Sequence, residues 1–396
     1  MIVNEKYDVV VVGCGPAGAS TAKRCAENGL DVLVLDRNQE IGTPVRCGEG
    51  LSDNAVKTLG LKIPSSCIAQ KIKGAIVYAP NGKRVEIKYK GTNGYTLERK
   101  AFDKWLAFEA SRAGARIIAK TNVYDIIMNN TTVSGVKAKI FDKDKSIESK
   151  VVVAADGVES MIMRKAGFKA KNPRFVDTGY EYEMSDIDME DPNMIILYFG
   201  SRIAPRGYVW VFPKGKDVAN VGIGINSMGG EKTAKQYLDD FILSKPELSK
   251  GSIIEVKGGC IPVGGFLDNM VSDGLVGVGD AVNQVNPIHG GGIAESIKAG
   301  RIAADVIANA IKKNDVSAKT LSEYNKIWWK DCGQRLKNVE KVREMFEKMS
   351  DAEMNDLAEV LSGEDLVNFS HGKNYAKLAK IYMKFKAKGI RRKIGF

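Results

Sequence analysis

The sequence runs to 396 residues, 44% apolar and 27% charged. This is enough for two or three domains with a large core, and it excludes a disordered or fibrous chain. Six scattered cysteines indicate neither a disulfide framework nor a zinc site, and two histidines exclude a histidine-rich metal site. The formal net charge of +11 is uneven: from Lys373 to Phe396 there are nine Lys/Arg and no Asp/Glu.

The apolar run from Tyr7 reads as a buried strand, not as a signal sequence, and no stretch reaches the roughly 20 apolar residues of a membrane span. A cytoplasmic protein is the expectation. The strand enters Gly13-Cys14-Gly15-Pro16-Ala17-Gly18, a helix follows, and a second apolar strand ends on Asp36. Such a unit seats a dinucleotide. Gly13 permits the tight turn, Gly15 lets the backbone approach a pyrophosphate, and Gly18 lets helix pack on strand. The helix directs unpaired N–H groups and its positive dipole end at the phosphates. Asp36 is positioned to accept hydrogen bonds from ribose hydroxyls. The motif specifies an ADP moiety, without choosing between FAD and NAD.

Further along, a Gly- and Pro-rich loop spans Ile41 to Leu51, and a helix is predicted near residues 97–115. RIIAKTNVYDI reads as a strand plus connector, and residues 123–150 as a small β-meander. A buried strand then runs into Asp156-Gly157. Composition changes after about residue 172. Strands are predicted at 176–186, 193–200, 207–213, 218–226 and 252–262, with a helix near 232–244, as an antiparallel sheet separate from the nucleotide layer. Residues 273–313 return to strand, Gly-rich turn and long helix, and everything from 315 reads as helical. The predicted fold is α/β: a discontinuous Rossmann-type domain (1–172 and 269–314), an inserted antiparallel-sheet substrate domain (173–268), and a helical region (315–396).

In the tail, Tyr375, Leu378, Ala379, Tyr382 and Phe385 recur at helical spacing, with Lys373, Lys377, Lys380, Lys384 and Lys388 on another stripe. That pattern suits an anionic membrane surface or an acidic partner, and equally a helix docked on the body with a solvated basic face. No nucleic-acid-reading motif accompanies the charge.

Two more strand-to-turn motifs, Asp156-Gly157 and Gly279-Asp280, each read singly as a helix N-cap. Together with the first motif, and with Arg99 opening ERKAFDKWL, they resemble FAD-dependent reductases and hydroxylases of the p-hydroxybenzoate hydroxylase fold, over roughly residues 5–310. The resemblance implies FAD as cofactor. It implies Asp280 (after Gly279) on the ribityl chain, Asp156 near the pyrophosphate, Arg99 holding the cofactor, and the Val123 backbone facing adenine. Ala17 falls in the pyrophosphate loop, and Gly291, Gly292 and Ile293 would present N–H groups to the flavin edge, stabilising reduced-flavin charge. His289 reads as a turn residue. There is no second Gly-x-Gly-x-x-Gly unit, because VGIGINSMGG has the wrong spacing. An external electron donor must therefore reach the flavin by another route than a second Rossmann domain.

PVRCGEG (Pro44 to Gly50) and PRGYVWVFP (Pro205 to Pro213) resemble the active-site loop and the PxxYxWxFP pattern of the geranylgeranyl reductase family. On a strand Tyr208, Trp210 and Phe212 share one side, as an isoprenoid-lining wall or simply as sheet core. The resemblance implies reduction of isoprenoid C=C bonds in archaeal membrane phospholipid precursors, with hydride from reduced flavin N5. Tyr208, Trp210 and Cys47 are the candidate catalytic residues. Cys47 would deliver the proton or gate the site, or else be an inert buried thiol. Cys47, Gly48 and Gly50 are also expected at the cofactor, with Glu49 orienting the loop. Val282-Asn283 departs from the more usual GDAAGQV, which puts the local packing in question. Trp328-Trp329 suit either a lipid-contacting surface or helix packing. The alternative functions are an FAD-dependent monooxygenase of an aromatic or polyprenyl substrate, and a non-catalytic flavin-binding lipid carrier.

Overall fold

The structure is a computed structural model, and it describes residues 5–88, 91–169, 171–226, 230–370, 373, 380–381 and 383. The tail residues Tyr375, Leu378, Ala379, Tyr382 and Phe385 lie outside the described residues.

Parallel strands Lys6–Val12, Val32–Leu35, Arg116–Ile118, Lys143–Ala154 and Leu275–Gly277 form the centre of an eight-stranded sheet. Val9 pairs with Val151 on one side and Val32 on the other, and Val9, Val10 and Val11 are fully buried. Burial on both faces is why these strands are unbroken apolar runs rather than alternating ones. Helices Pro16–Glu27 and Ile293–Lys312 pack together beside the sheet. A Cβ on Gly300 would sit 2.7 Å from the Ala17 carbonyl oxygen, so this crossing needs glycine. The meander continues the sheet through Thr121–Asn129 and Thr132–Ile140. RIIAKTNVYDI forms two strands where one was expected, because the chain turns at Lys120 with φ +51°.

Seven strands make a second sheet, in the order Ser252–Pro262, Val176–Ser185, Ala219–Asn226, Tyr208–Pro213, Met194–Tyr198, Gly74–Tyr78, Arg84–Lys88. The last two come from far upstream, a pairing that no local periodicity announces. Period-2 alternation divides this sheet into two faces. Tyr182, Met184, Val209, Val211, Val221 and Ile223 pack beneath helix Ala234–Leu243, which Thr233 and Gln236 close with a capping box. The opposite face carries Glu181, Glu183, Tyr208, Trp210, Phe212, Asn220 and Lys257. A three-stranded sheet, Gly50–Ser52, Gly94–Leu97 and Ile68–Ile72, leads into helix Arg99–Arg112 and ties the loop Ile41 to Leu51 to the body.

The described residues after 315 are helical up to Ser370, interrupted by a π-turn at Trp329–Gly333. Trp328 is fully buried against Phe266 and Trp329, with ring centroids 6.1 and 5.3 Å away. It is therefore helix-packing core and not a lipid-facing surface residue. Among the described residues no helix is long and apolar enough to cross a membrane.

Candidate active site

The first turn is built around close backbone approach. Gly13 has φ +98°, and a Cβ there would meet the Ala155 carbonyl oxygen at 2.3 Å. A Cβ on Gly18 would lie 1.9 Å from the Gly13 oxygen, yet Gly15 has nothing within 4 Å of its Cβ position. The chain is thus pressed tight behind the turn and open in front of it, at the N-terminus of helix Pro16–Glu27. A phosphate-bearing group fits that space and that dipole. Asp36 accepts from Cys14 N at 2.8 Å and from Asn38 N at 2.9 Å, and its own carbonyl takes the Thr121 N–H, which sets Val123 on the neighbouring strand nearby. Each Asp36 oxygen retains a further lone pair for a ribose hydroxyl.

Asp156 is not the N-cap of helix Met161–Lys165: that is Ser160, whose Oγ accepts from Met163 N at 3.1 Å. Asp156 supports it, accepting from Ser160 Oγ at 2.5 Å and Ile162 N at 3.1 Å, from a position that also abuts Gly13. Asp280 lies beside Gly292, at the start of helix Ile293–Lys312, where a Cβ on Gly292 would be 3.2 Å from Asp280 Oδ1. Burial raises the Asp280 carboxyl, against the pull of Lys171 and Arg99. Asn283 resolves the departure from the usual motif. It occupies the left-handed region (φ +63°) that glycine usually fills, and its Nδ2 donates to the Gly264 and Gly265 carbonyls at 3.1 and 2.9 Å. Its Oδ1 accepts from Lys171, whose Nζ also reaches the Asp280 carbonyl at 2.9 Å. Burial brings the Lys171 ammonium down to about 8.

The loop Ile41 to Leu51 lies directly on the aromatic wall. Tyr208–Trp210 and Trp210–Phe212 centroids are 5.8 and 6.2 Å apart, all on one face of the strand. Gly48 and Gly50 are glycines because of this wall: their Cβ positions fall 3.2 and 3.1 Å from the Phe212 ring. The loop backbone thus sits closely against the Phe212 ring. Gly222 on the next strand has its Cβ position 2.4 Å from the Trp210 ring, so the VGIGIN glycines make room for the indole. Tyr208 Oη donates to the His289 carbonyl at 3.0 Å, while His289 Nδ1 accepts from Gly291 N at 3.1 Å. His289 thus shapes the Gly290-Gly291-Gly292 turn, and the wall is tied to that turn.

Cys47 is half-buried, and burial raises its thiol above the usual range although Arg99 pulls it down. It therefore holds its proton at neutral pH. Glu49, at φ +72° and nearly inaccessible, takes the Arg99 N–H at 2.9 Å and Asn220 Nδ2 at 2.6 Å. Arg99 itself forms a bidentate pair with Asp103, both contacts at 2.8 Å. Its guanidinium is thereby held as a fixed charge that acts on Cys47 and Asp280.

Beneath the loop is a group that the motifs did not reveal. Lys257 Nζ lies 3.2 Å from Glu49, 3.1 Å from Glu183 and 3.6 Å from Glu181. Lys214 Nζ lies 2.9 Å from Glu49, 2.8 Å from Glu183 and 3.0 Å from Glu98. Trp210 Nε1 donates to Glu181 Oε2 at 2.7 Å. The signal available in the sequence was the charge on alternate residues, Glu181 and Glu183, of an otherwise apolar strand.

Comparison with known proteins matches residues 176–261 to the geranylgeranyl reductase catalytic domain and residues 8–183 to the FAD dependent oxidoreductase family. A digeranylgeranylglycerophospholipid reductase of Methanocaldococcus jannaschii is 42% identical over 92% of this chain and 92% of its own length. Reductase 1 of the same name from Methanothermobacter thermautotrophicus is 38% identical over 96% and 97%. The crystal structure of a geranylgeranyl bacteriochlorophyll reductase-like protein from Thermoplasma acidophilum superposes with a TM-score of 0.87 at 35% identity, covering 96% of this chain and 95% of that one. The flavin-dependent brominase Bmp2 shares the fold, with a TM-score of 0.76 at 19% identity, over 97% of this chain and 100% of its own.

Proposed function

Because the chain belongs to the geranylgeranyl reductase family of FAD-dependent oxidoreductases, we propose that it saturates the geranylgeranyl chains of archaeal glycerophospholipid precursors. Its cofactor is FAD, which when bound and reduced supplies hydride. The observation that carries the reading is the apposition of the Cys47 loop to the wall of Tyr208, Trp210 and Phe212. An aromatic wall suits an isoprenoid chain, and a protonated thiol beside it suits a reaction that needs one proton per double bond.

The roles follow from position. Gly13, Gly15, Ala17, Gly18 and Asp36 would hold the ADP half of the cofactor, with Asp156 behind the turn and Val123 at its edge. Asp280, next to Gly279, with Gly291, Gly292 and Ile293 would hold the flavin half, using the dipole of a 20-residue helix. Arg99 and Glu49 fix the loop that carries Cys47, Gly48 and Gly50. Tyr208, Trp210 and Phe212 exclude water and align the chain. We assign residues 1–172 and 269–314 to the cofactor domain, with strands Gly74–Tyr78 and Arg84–Lys88 lent to the sheet of 173–268, and 315–396 to a helical region. The monooxygenase and carrier readings have no observation of their own in favour.

Anaerobic mixing of reduced protein with lipid tests the function. The flavin absorbance should return with a geranylgeranyl glycerophospholipid and not with its saturated counterpart; equal behaviour with both would remove the reading. Replacing Cys47 by Ala is expected to slow that re-oxidation by roughly 100-fold, the size of a lost general acid, with flavin content unchanged. Wild-type rates in that variant would show the thiol to be a bystander. The basic stretch from Lys373 is assigned to an anionic membrane surface, where the substrate resides. Deleting the residues beyond Lys373 should abolish sedimentation with anionic vesicles, and undiminished sedimentation would remove this role.

A further inference from the structure

The chain passes between the cofactor domain and the sheet of the aromatic wall twice, outward through residues 171–175 and back through residues 263–268. The two crossings run side by side. Val263 N donates to the Phe175 carbonyl at 2.8 Å, and the Cβ positions of Gly264 and Gly265 fall 2.8 and 2.9 Å from the Phe175 ring. Val176 and Pro262, where the crossings meet the sheet, are register partners on adjacent strands. The crossings therefore hold one end of the sheet. The wall lies towards that end: Tyr208 pairs with Gly224, Gly224 with Gly179, and Gly179 with Gly259 on the strand that ends at Pro262.

Asn283 joins both crossings to the turn that carries Asp280. Its Nδ2 donates to the Gly264 and Gly265 carbonyls of the return crossing at 3.1 and 2.9 Å. Its Oδ1 accepts from Lys171 on the outward crossing. Lys171 Nζ donates in addition to the Asp280 and Ala281 carbonyls at 2.9 and 3.1 Å. In number, the two Nδ2 hydrogens and the three ammonium hydrogens are thus matched by protein acceptors. The pair acts on the backbone around it, without a donor left over for a ligand. Asn283 is buried, and a fully satisfied polar group in that setting fixes one arrangement of the segments it joins. From the helical region, Glu340 Oε1 takes the Gly265 N–H at 2.6 Å and closes the same junction.

We propose that Asn283, paired with Lys171, is a positioning residue of the reduction: the pair clamps the crossings so that the aromatic wall stands at a fixed place against the flavin seat. This role rests on the reading of the Asp280 turn as that seat and of Tyr208, Trp210 and Phe212 as the lipid surface. The Tyr208 hydrogen bond to the His289 carbonyl, at 3.0 Å, is a second tie between wall and seat. Glycine, the more usual residue at position 283 of this motif, could make none of the side-chain bonds.

Asn283→Gly removes both arms without strain, because φ +63° suits glycine. Amide hydrogen exchange across residues 263–268 should be faster in the variant by about 10-fold or more, with and without FAD, as local opening becomes easier. Strand Lys6–Val12 should exchange as in wild type. In the loaded, chemically reduced enzyme, flavin re-oxidation at saturating geranylgeranyl glycerophospholipid should slow by roughly 100-fold, the effect of a misplacement of about 1 Å. The half-saturating lipid concentration should stay at its wild-type value, because the wall itself is intact. Lys171→Met should lower the same rate, and the double variant should lose less than the product of the two single losses. Unchanged exchange in Asn283→Gly overturns the clamp, whatever its rate. So does a wild-type saturating rate with loosened crossings, which would leave Asn283 a purely structural residue. Losses that multiply in the double variant overturn the pairing with Lys171. Loosened crossings in a variant whose wild-type parent reduces no lipid support the clamp and overturn the substrate reading instead.

Discussion

Gly13→Ala should yield a protein without flavin and with markedly lower stability. At φ +98° an added Cβ meets the Ala155 oxygen at 2.3 Å and its carbon at 2.8 Å, both backbone. Neither side can yield cheaply. Gly13 N is bonded to the Leu35 oxygen at 2.8 Å, and Ala155 N to the Val12 oxygen at 2.9 Å, so the clash is set between three central strands. Strain of this kind costs on the order of 3 kcal/mol, and any relief moves the turn off the pyrophosphate. Gly15→Ala is the informative partner. Gly15 has φ −74° and ψ −172°, and its Cβ would face open space, so the apoprotein should unfold at the wild-type urea midpoint while its flavin affinity falls. Flavin absorbance per protein and urea unfolding separate the two. Full flavin occupancy in Gly13→Ala would contradict this account of the turn.

Lys257→Met should cost about 3–5 kcal/mol, the usual penalty for breaking a buried ion pair from one side. The ammonium is almost fully buried and serves Glu49, Glu183 and the Asn220 oxygen, the last at 2.9 Å. For Glu49, burial raises the carboxyl, but Lys257 and Lys214, helped by Asn220 and Arg99 N–H, outweigh it and hold it below its ordinary 4.5. A depressed carboxyl contributes stability that is present above the unfolded value and lost as pH falls through the folded one. The deficit of the variant should therefore be largest at neutral pH and shrink as pH drops below about 4.5. Urea unfolding at neutral and acid pH measures both. A variant as stable as wild type at neutral pH would mean that the ammonium is not what compensates these carboxylates.

The parts legible in the sequence are those governed by local rules. Strand Ser252–Pro262 and strands Val176–Ser185, Tyr208–Pro213 and Ala219–Asn226 fall within a residue of their predicted ends, because period-2 alternation and turn residues mark them. The shared side of Tyr208, Trp210 and Phe212 followed from the same period. Long-range pairing was not legible: Gly74–Tyr78 joins Met194–Tyr198 across more than a hundred residues, and no local pattern encodes that choice. Nor were the glycine partners. The Cβ positions of Gly48 and Gly222 fall 3.2 Å from the Phe212 ring and 2.4 Å from the Trp210 ring, contacts that only the assembled sheet reveals. Lys257 and Glu181 are register partners on adjacent strands, so their pairing appears only once the sheet is assembled.

The most direct measurement is a mass spectrum of a geranylgeranyl glycerophospholipid after anaerobic incubation with the purified, chemically reduced protein. The account predicts stepwise gain of hydrogen pairs, with the mass pattern shifted in deuterated water by two solvent atoms per saturated bond, because a chemical reductant supplies only electrons. An unchanged lipid in the presence of bound FAD that reduces normally would contradict it.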